Sequence, residues 1–153
     1  MKETVIQEYL EDTKLRWSNG KYWLGGHIQI NLPNEPIEIT SDKMHLTNII
    51  SNLIDNAIKY SASAPEIEIN LKRENKKLLL SVKDHGVGIK KEHMSKIFDK
   101  LYRIPTGNLH DVKGFGLGLS YVKAISDSHG WNILVRSKFG EGSEFILVMK
   151  EKI

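Results

Sequence analysis

The chain has 153 residues, 40% hydrophobic and 27% charged, which fits one soluble domain able to bury roughly two-thirds of its unfolded surface. It has no cysteine, which excludes a disulfide scaffold, a Cys-ligated zinc site and thiol catalysis, and fits a reducing compartment. With 22 basic and 19 acidic residues the net charge is +3, too balanced to argue nucleic-acid binding from charge alone.

The N-terminal run MKETVIQEYLED is acidic and lacks the apolar core of a signal peptide. No apolar run anywhere is long enough to span a bilayer. Val5, Ile6, Tyr9, Leu10 and Leu15 predict a short helix over about 9–16, ended by Ser18-Asn19-Gly20. Alternation of Ile28, Ile30 and Leu32 predicts a strand, Pro33-Asn34-Glu35-Pro36 a turn, and Ile37 and Ile39 a second short strand. Ser41 or Asp42 then caps a long helix reaching about residue 60. Its apolar stripe is Leu46, Ile49, Ile50, Leu53, Ile54, Ala57 and Ile58. Residues 66–72 and 78–82 read as strands joined at Asn75 in a hairpin. A short helix is expected over 92–101, and a long loop over 102–114. Leu119, Val122, Ala124 and Ile125 predict a helix over 117–128, and strands at 131–138 and 144–150 form a second hairpin. This order predicts an α+β fold: a two-layer sandwich, with a mixed, mostly antiparallel sheet and three helices on one face. Residues 1–26 read as an N-terminal junction and first helix, and 27–153 as the domain proper.

The long helix has an unusual polar face, with His45, Asn48, Asn52, Asn56 and Lys59 within one narrow arc. A solvated face would ordinarily carry Glu, Lys, Gln or Arg. Three Asn cost roughly 2 kcal/mol of helix propensity with no local return. An amide oxygen can ligate a hard cation while its NH2 donates to another oxygen, which suits a Mg2+–phosphate site. Asp84-His85-Gly86-Val87-Gly88 ends a predicted strand, where an Asp can accept from an exocyclic amine and glycines admit a ligand close to the backbone. Gly114-Phe115-Gly116-Leu117-Gly118-Leu119 opens a helix, where backbone amides can bind phosphate. It matches neither the Walker A loop nor the dinucleotide fingerprint. His27, His93, His110 and His129 share no metal-ligand spacing, and Trp17, Trp23 and Trp131 are expected to pack or sit in turns.

In order, the chain carries Asn52-Leu53-Ile54-Asp55-Asn56-Ala57-Ile58-Lys59-Tyr60, Asp84-His85-Gly86-Val87-Gly88-Ile89, Ile97-Phe98-Asp99-Lys100-Leu101-Tyr102-Arg103, Gly114 to Leu119, and Gly140-Glu141-Gly142-Ser143. The series closely resembles the N, G1, F, G2 and G3 boxes of the catalytic, ATP-binding domain of sensor histidine kinases, which have the Bergerat fold. The likeness runs from about residue 27 to 150. It implies that Asn56 ligates Mg2+ bridging the phosphates and that Asn52 lines the same site. Lys59 and Tyr60 would contact phosphate or ribose. Asp84 would accept from adenine N6, with Gly86 and Gly88 allowing close approach. Lys100 and Arg103 would reach the phosphates from a lid anchored by Phe98, and Gly114, Gly116 and Gly118 would cradle them. Ile89, Phe115, Leu117, Leu119 and Ser143 complete the implied nucleotide contacts. The catalytic set is Asn52, Asn56, Lys59 and Arg103.

The resemblance implies transfer of the γ-phosphate of Mg-ATP to a histidine. None of the six histidines here has the family's H-[ED]-x-x-[NT]-P context. The acceptor is therefore expected on a dimerisation domain outside this chain, which reads as a module cut from a longer protein and incomplete for autophosphorylation. Implied partners are that domain and a response-regulator receiver, with no nucleic acid and no membrane contact. A monomeric, cytoplasmic fragment is expected, and anchoring of its parent in the inner membrane stays open. The same fold also serves ATP-gated modules such as gyrase B and mismatch-repair ATPases. Those carry a catalytic carboxylate where this chain has Asn52, which disfavours hydrolysis. Anti-sigma and branched-chain kinase relatives fit the F box less well, and the intact boxes argue against a degenerate pseudokinase.

Overall fold

The computed structural model describes residues 2–8, 10–11, 26–61, 64–100 and 118–150. The chain begins with strand β1 (Lys2–Val5), which the sequence pattern did not reveal, followed by helical residues at 6–8 and 10–11. Ile6 and Leu10 are fully buried, so this start is part of the core. The rest of the expected first helix, with Trp17 and Trp23, lies outside the described residues. Next come β2 (His27–Asn31) and β3 (Glu38–Ser41). β1 pairs antiparallel with β3 in a two-stranded sheet. Gln7 secures the junction: its Nε2 donates to Glu35 O at 2.7 Å, and its Oε1 accepts from Ile37 N–H at 3.1 Å.

Helix α1 (Lys43–Lys59) forms where the apolar period predicts it, and Asp42 is the N-cap. The Asp42 carboxylate accepts from the amides of Met44 (2.8 Å) and His45 (3.2 Å). These two bonds, that of His45 foremost, hold its pKa below the ordinary 3.8. A lowered pKa contributes stability that is present above 3.8 and lost as pH falls through the folded value. Asp42→Ala is therefore expected to lower the melting temperature at neutral pH, with the gap to the wild type closing in acid. Melts followed by circular dichroism across that range check it.

The main sheet has five strands in the order β2-β4-β5-β7-β6, completed by β4 (Glu66–Glu74), β5 (Lys77–Asp84), β6 (Asn132–Lys138) and β7 (Gly142–Lys150). Only β2 and β4 run parallel, joined through α1; the other pairings are antiparallel. The β4–β5 turn places Asn75 and Lys76 at φ 51° and 65°, the left-handed pair of a two-residue hairpin. Ile67, Ile69 and Leu71 share a face with Leu78, Leu80 and Val82, and with Phe145, Leu147 and Met149. The buried stripe of α1 belongs to the same core. Helix α3 (Gly118–Ser128) packs on α1 and β6. Between β5 and α3, α2 (Lys91–Met94) is a single turn, shorter than the expected helix over 92–101. Its cap, Lys90, offers no acceptor to the first amides, and none of its four residues is buried. No helix among the described residues is long and apolar enough to cross a membrane.

Candidate functional site

Strand alternation carries Leu78, Leu80 and Val82 into the core and leaves Asp84, the last residue of β5, on the same face. Asp84 is 4% exposed. Its Oδ1 accepts from the amides of Gly86 (2.8 Å) and Ser143 (3.3 Å). Oδ2 makes no hydrogen bond among the described residues, and no cation there forms a salt bridge with this carboxylate. Burial raises the Asp84 pKa above 3.8, although the amides of Gly86 and Ser143 pull the other way. A buried carboxylate with one saturated and one free oxygen is poised to accept from a ligand.

The loop after Asp84 is clamped from two sides. Val87 N–H donates to Tyr60 O at the end of α1 (2.9 Å), and Gly140 N–H donates to Val87 O (2.7 Å). Between them Gly88 has φ 73°, and a Cβ there would sit 2.2 Å from Lys138 O. Only glycine meets both conditions. The loop is thereby held against both the helix and the β6–β7 hairpin.

The asparagine stripe of α1 divides its duties. Asn48 Nδ2 donates to Tyr121 Oη at 3.3 Å and so ties α1 to α3. Asn52 lies under the start of α3: a Cβ on Gly118 would be 3.1 Å from its Oδ1. Asn56 makes no side-chain hydrogen bond among the described residues and faces a cleft. Lys59 pairs with Asp55 at 2.8 Å and does not line that cleft. His45 packs edge-on to the rings of Tyr121 and His129, at 6.5 and 6.0 Å.

The cleft is lined by Asn56, Tyr60, Asp84, Gly88, Ile89, Ile97, Leu119 and Ser143, and holds about 430 Å³ including its open mouth. Of these, Ile97 is the one that the sequence reading did not place there; its burial signalled only core. Phe98 packs edge-on against Phe145, with centroids 6.3 Å apart. Gly86 is buried in the loop beside the cleft, and Lys100 is exposed at the end of the described segment. Arg103, Gly114, Phe115, Gly116 and Leu117 lie outside the described residues. Among the described residues no group of three or more His, Cys, Asp or Glu side chains could hold a metal. A cation in this cleft would have to draw on Asn56 and on oxygens of the ligand itself. The sequence reading also missed Ser137, whose Oγ accepts from Ile89 N–H at 2.7 Å and so holds that cleft residue to β6. It is the polar third member of the alternation Ile133, Val135, Ser137, which was the available signal.

Comparison with known proteins identifies the family and the fold. Residues 41–153 match the model of the family described as histidine kinase-, DNA gyrase B-, and HSP90-like ATPase. The chain is 48% identical over 126 residues to the sensor protein RprX of Bacteroides fragilis, covering 81% of this chain and 24% of RprX. It is 35% identical over 132 residues to the sensor histidine kinase WalK of Bacillus subtilis, covering 82% of this chain and 22% of WalK. The chain thus spans about a quarter of the length of these relatives. The fold is similar to that of the catalytic domain of histidine kinase ThkA, with a TM-score of 0.83 at 24% identity over 98% of this chain and 95% of that one. The chain belongs to the histidine kinase-, DNA gyrase B-, and HSP90-like ATPase family, and within it corresponds to the ATP-binding catalytic domain of sensor histidine kinases.

Proposed function

We propose that this domain binds Mg-ATP in the cleft and presents its γ-phosphate to a histidine on a separate dimerisation domain, for relay to a response-regulator aspartate. The observation that carries the reading is Asp84, a buried carboxylate whose one free oxygen shares a cleft with the unbonded amide of Asn56. A carboxylate can only accept, so it selects a base edge that donates, as adenine N6 does. Ile89, Ile97 and Leu119 supply apolar walls for the ring.

The donor set fits the expected cation. Asn56 offers a neutral oxygen suited to Mg2+, which would neutralise phosphate charge when bound. Its position on α1 places that amide at the cleft, with no partner among the described residues to compete for its oxygen. Asn52 sits next along the same face, beneath Gly118, where the N-terminal amides of α3 favour phosphate. Lys59 would have to leave Asp55 to reach a phosphate, whereas Tyr60 already lines the cleft. By the family resemblance, Lys100 and Arg103 would reach the phosphates and the glycines at 114 and 116 would cradle them. The protein's part in the chemistry is to position and to neutralise, because the nucleophile is an imidazole elsewhere. On this reading the fragment is a monomeric, cytoplasmic domain that binds nucleotide and transfers little alone.

Asn56→Ala should leave the base site intact and remove most of the benefit of Mg2+. Calorimetric titration with ATP, in Mg2+ and in chelator, tests this. A variant that still binds ATP better with Mg2+, to the wild-type degree, would show that Asn56 is not the metal ligand.

A further inference from the structure

Among the described residues, three buried side-chain polar atoms have no hydrogen-bond partner: His45 Nδ1, Ser126 Oγ and His129 Nε2. His45 is in the first turn of α1, Ser126 in the last turn of α3, and His129 follows directly after α3. Packing of the two helices brings the imidazoles of His45 and His129 together, with centroids 6.0 Å apart and planes at 89°. His129 is held in one orientation. Its ring stacks on Trp131 at 4.4 Å, and its Nδ1 lies 2.9 Å from Ile125 O and 3.2 Å from Ser128 Oγ. The carbonyl can only accept, and the Ser128 hydroxyl already donates its proton to that carbonyl at 2.8 Å. Nδ1 therefore carries the ring proton, which leaves Nε2 as a bare lone pair. A histidine that donates from one nitrogen to a backbone carbonyl and keeps the other free is oriented as metal-ligating histidines are. Buried polar atoms are rarely left unpaired, so this seam calls for a further group.

We propose that His45 Nδ1 and His129 Nε2 are the protein ligands of a divalent transition-metal site, of the zinc, nickel or copper class, that ties the first turn of α1 to the C-terminal end of α3. Neutral imidazoles suit these ions and not Mg2+, which takes oxygen. Two rings that share one ion through bonds of about 2.0–2.1 Å have centroids roughly 5–6.5 Å apart, a range that contains the observed 6.0 Å. No third His, Cys, Asp or Glu joins the pair among the described residues, so solvent completes the coordination and the ion is exchangeable. Without an ion, a water that donates to both lone pairs fills the same place. The site is at the opposite end of α3 from Gly118 and Leu119, and the proposal does not depend on what binds in the cleft.

The test is calorimetry and thermal melting of the untagged domain with Zn2+, with Ni2+ and with chelator, on the wild type, His45→Gln and His129→Asn. Each substitution removes one ligand atom and keeps the other end of the side chain. The glutamine amide stands in for His45 Nε2, and the asparagine amide can still donate as His129 Nδ1 does. Zn2+ at about 100-fold above its Kd should raise the wild-type melting temperature by roughly 5–10 °C, reversibly with chelator, and Mg2+ should not. Either variant should bind Zn2+ at least about tenfold more weakly and lose most of that rise, while binding ATP as the wild type does. A merely structural role would lower the melting temperature in chelator and leave the Zn2+ shift unchanged. Where His129→Asn does not fold, His45→Gln decides, because His45 Nδ1 bonds to nothing else among the described residues. No Zn2+ or Ni2+ binding by the wild type overturns the proposal, as does unchanged affinity in a folded variant. A wild type that binds Zn2+ in this way but no ATP overturns only the nucleotide reading.

Discussion

Asp84→Asn is expected to bind ATP roughly 100-fold more weakly than the wild type while folding at least as stably. The affinity loss follows from chemistry at one oxygen. The amide keeps an acceptor for Gly86 and Ser143, whose N–H groups both reach Oδ1. Its other end becomes an NH2, so a donor faces the donor of adenine N6. The stability gain follows from burial. The carboxyl pKa is raised above 3.8 by desolvation, so the folded state holds this proton more tightly than the unfolded chain. The stability linked to the proton is fully present below 3.8 and lost as pH rises through the folded value. At neutral pH the ionised side chain is thus a net cost that asparagine relieves. Two readouts separate these effects. The melting advantage of the variant should shrink as pH falls toward the raised pKa. Over the same range wild-type ATP affinity should fall, beginning at a higher pH than an ordinary aspartate would give. A variant that melts well below the wild type at neutral pH would mean that the carboxylate stabilises the fold instead.

Gly142→Ala should be the most damaging single methyl group in the hairpin. Gly142 has φ 115°, a region that side chains rarely enter, and a Cβ there would lie 2.2 Å from Asp84 O. Gly140, two residues earlier, has φ 90° with nothing within 4 Å of its added Cβ. Backbone strain alone costs about 1–2 kcal/mol, and it applies to both positions. Only Gly142→Ala adds a collision with the backbone of β5, which must separate β7 from Asp84 and lengthen the Ser143–Asp84 bond. Relative to the wild type it should lose about 10 °C of melting temperature, and Gly140→Ala about half as much. It should also weaken ATP binding, which Gly140→Ala should not. Similar melting of the two variants would show that the close approach between Gly142 and Asp84 carries little energy.

The elements that the sequence revealed most directly are those with a strong period and a chemical start signal. The stripe from Leu46 to Ile58 with Asp42 before it gave α1, and Asn75 marked the β4–β5 turn. β1 was not legible because Lys2–Val5 gains its pairing from β3, a partner more than thirty residues away. The expected helix over 92–101 shrank to one turn because nothing caps it and its side chains are not buried. Composition could pick out the asparagines of α1 but not divide them. Asn48 turns to Tyr121, and Asn56 to the cleft, because α3 covers only part of α1. Ser137 was invisible for a related reason: a serine on a strand says nothing until the loop that it holds is in place. The net charge was silent about the site throughout, since Lys59, the basic residue nearest the asparagines, is neutralised by Asp55.

The most direct test is a calorimetric titration of the wild-type domain with ATP and with GTP, each in Mg2+ and in chelator. Saturable one-to-one binding of ATP, strengthened by Mg2+ and not matched by GTP, is the predicted result. No binding, or equal binding of the two nucleotides, would contradict the assignment of Asp84 and Asn56 to base and metal.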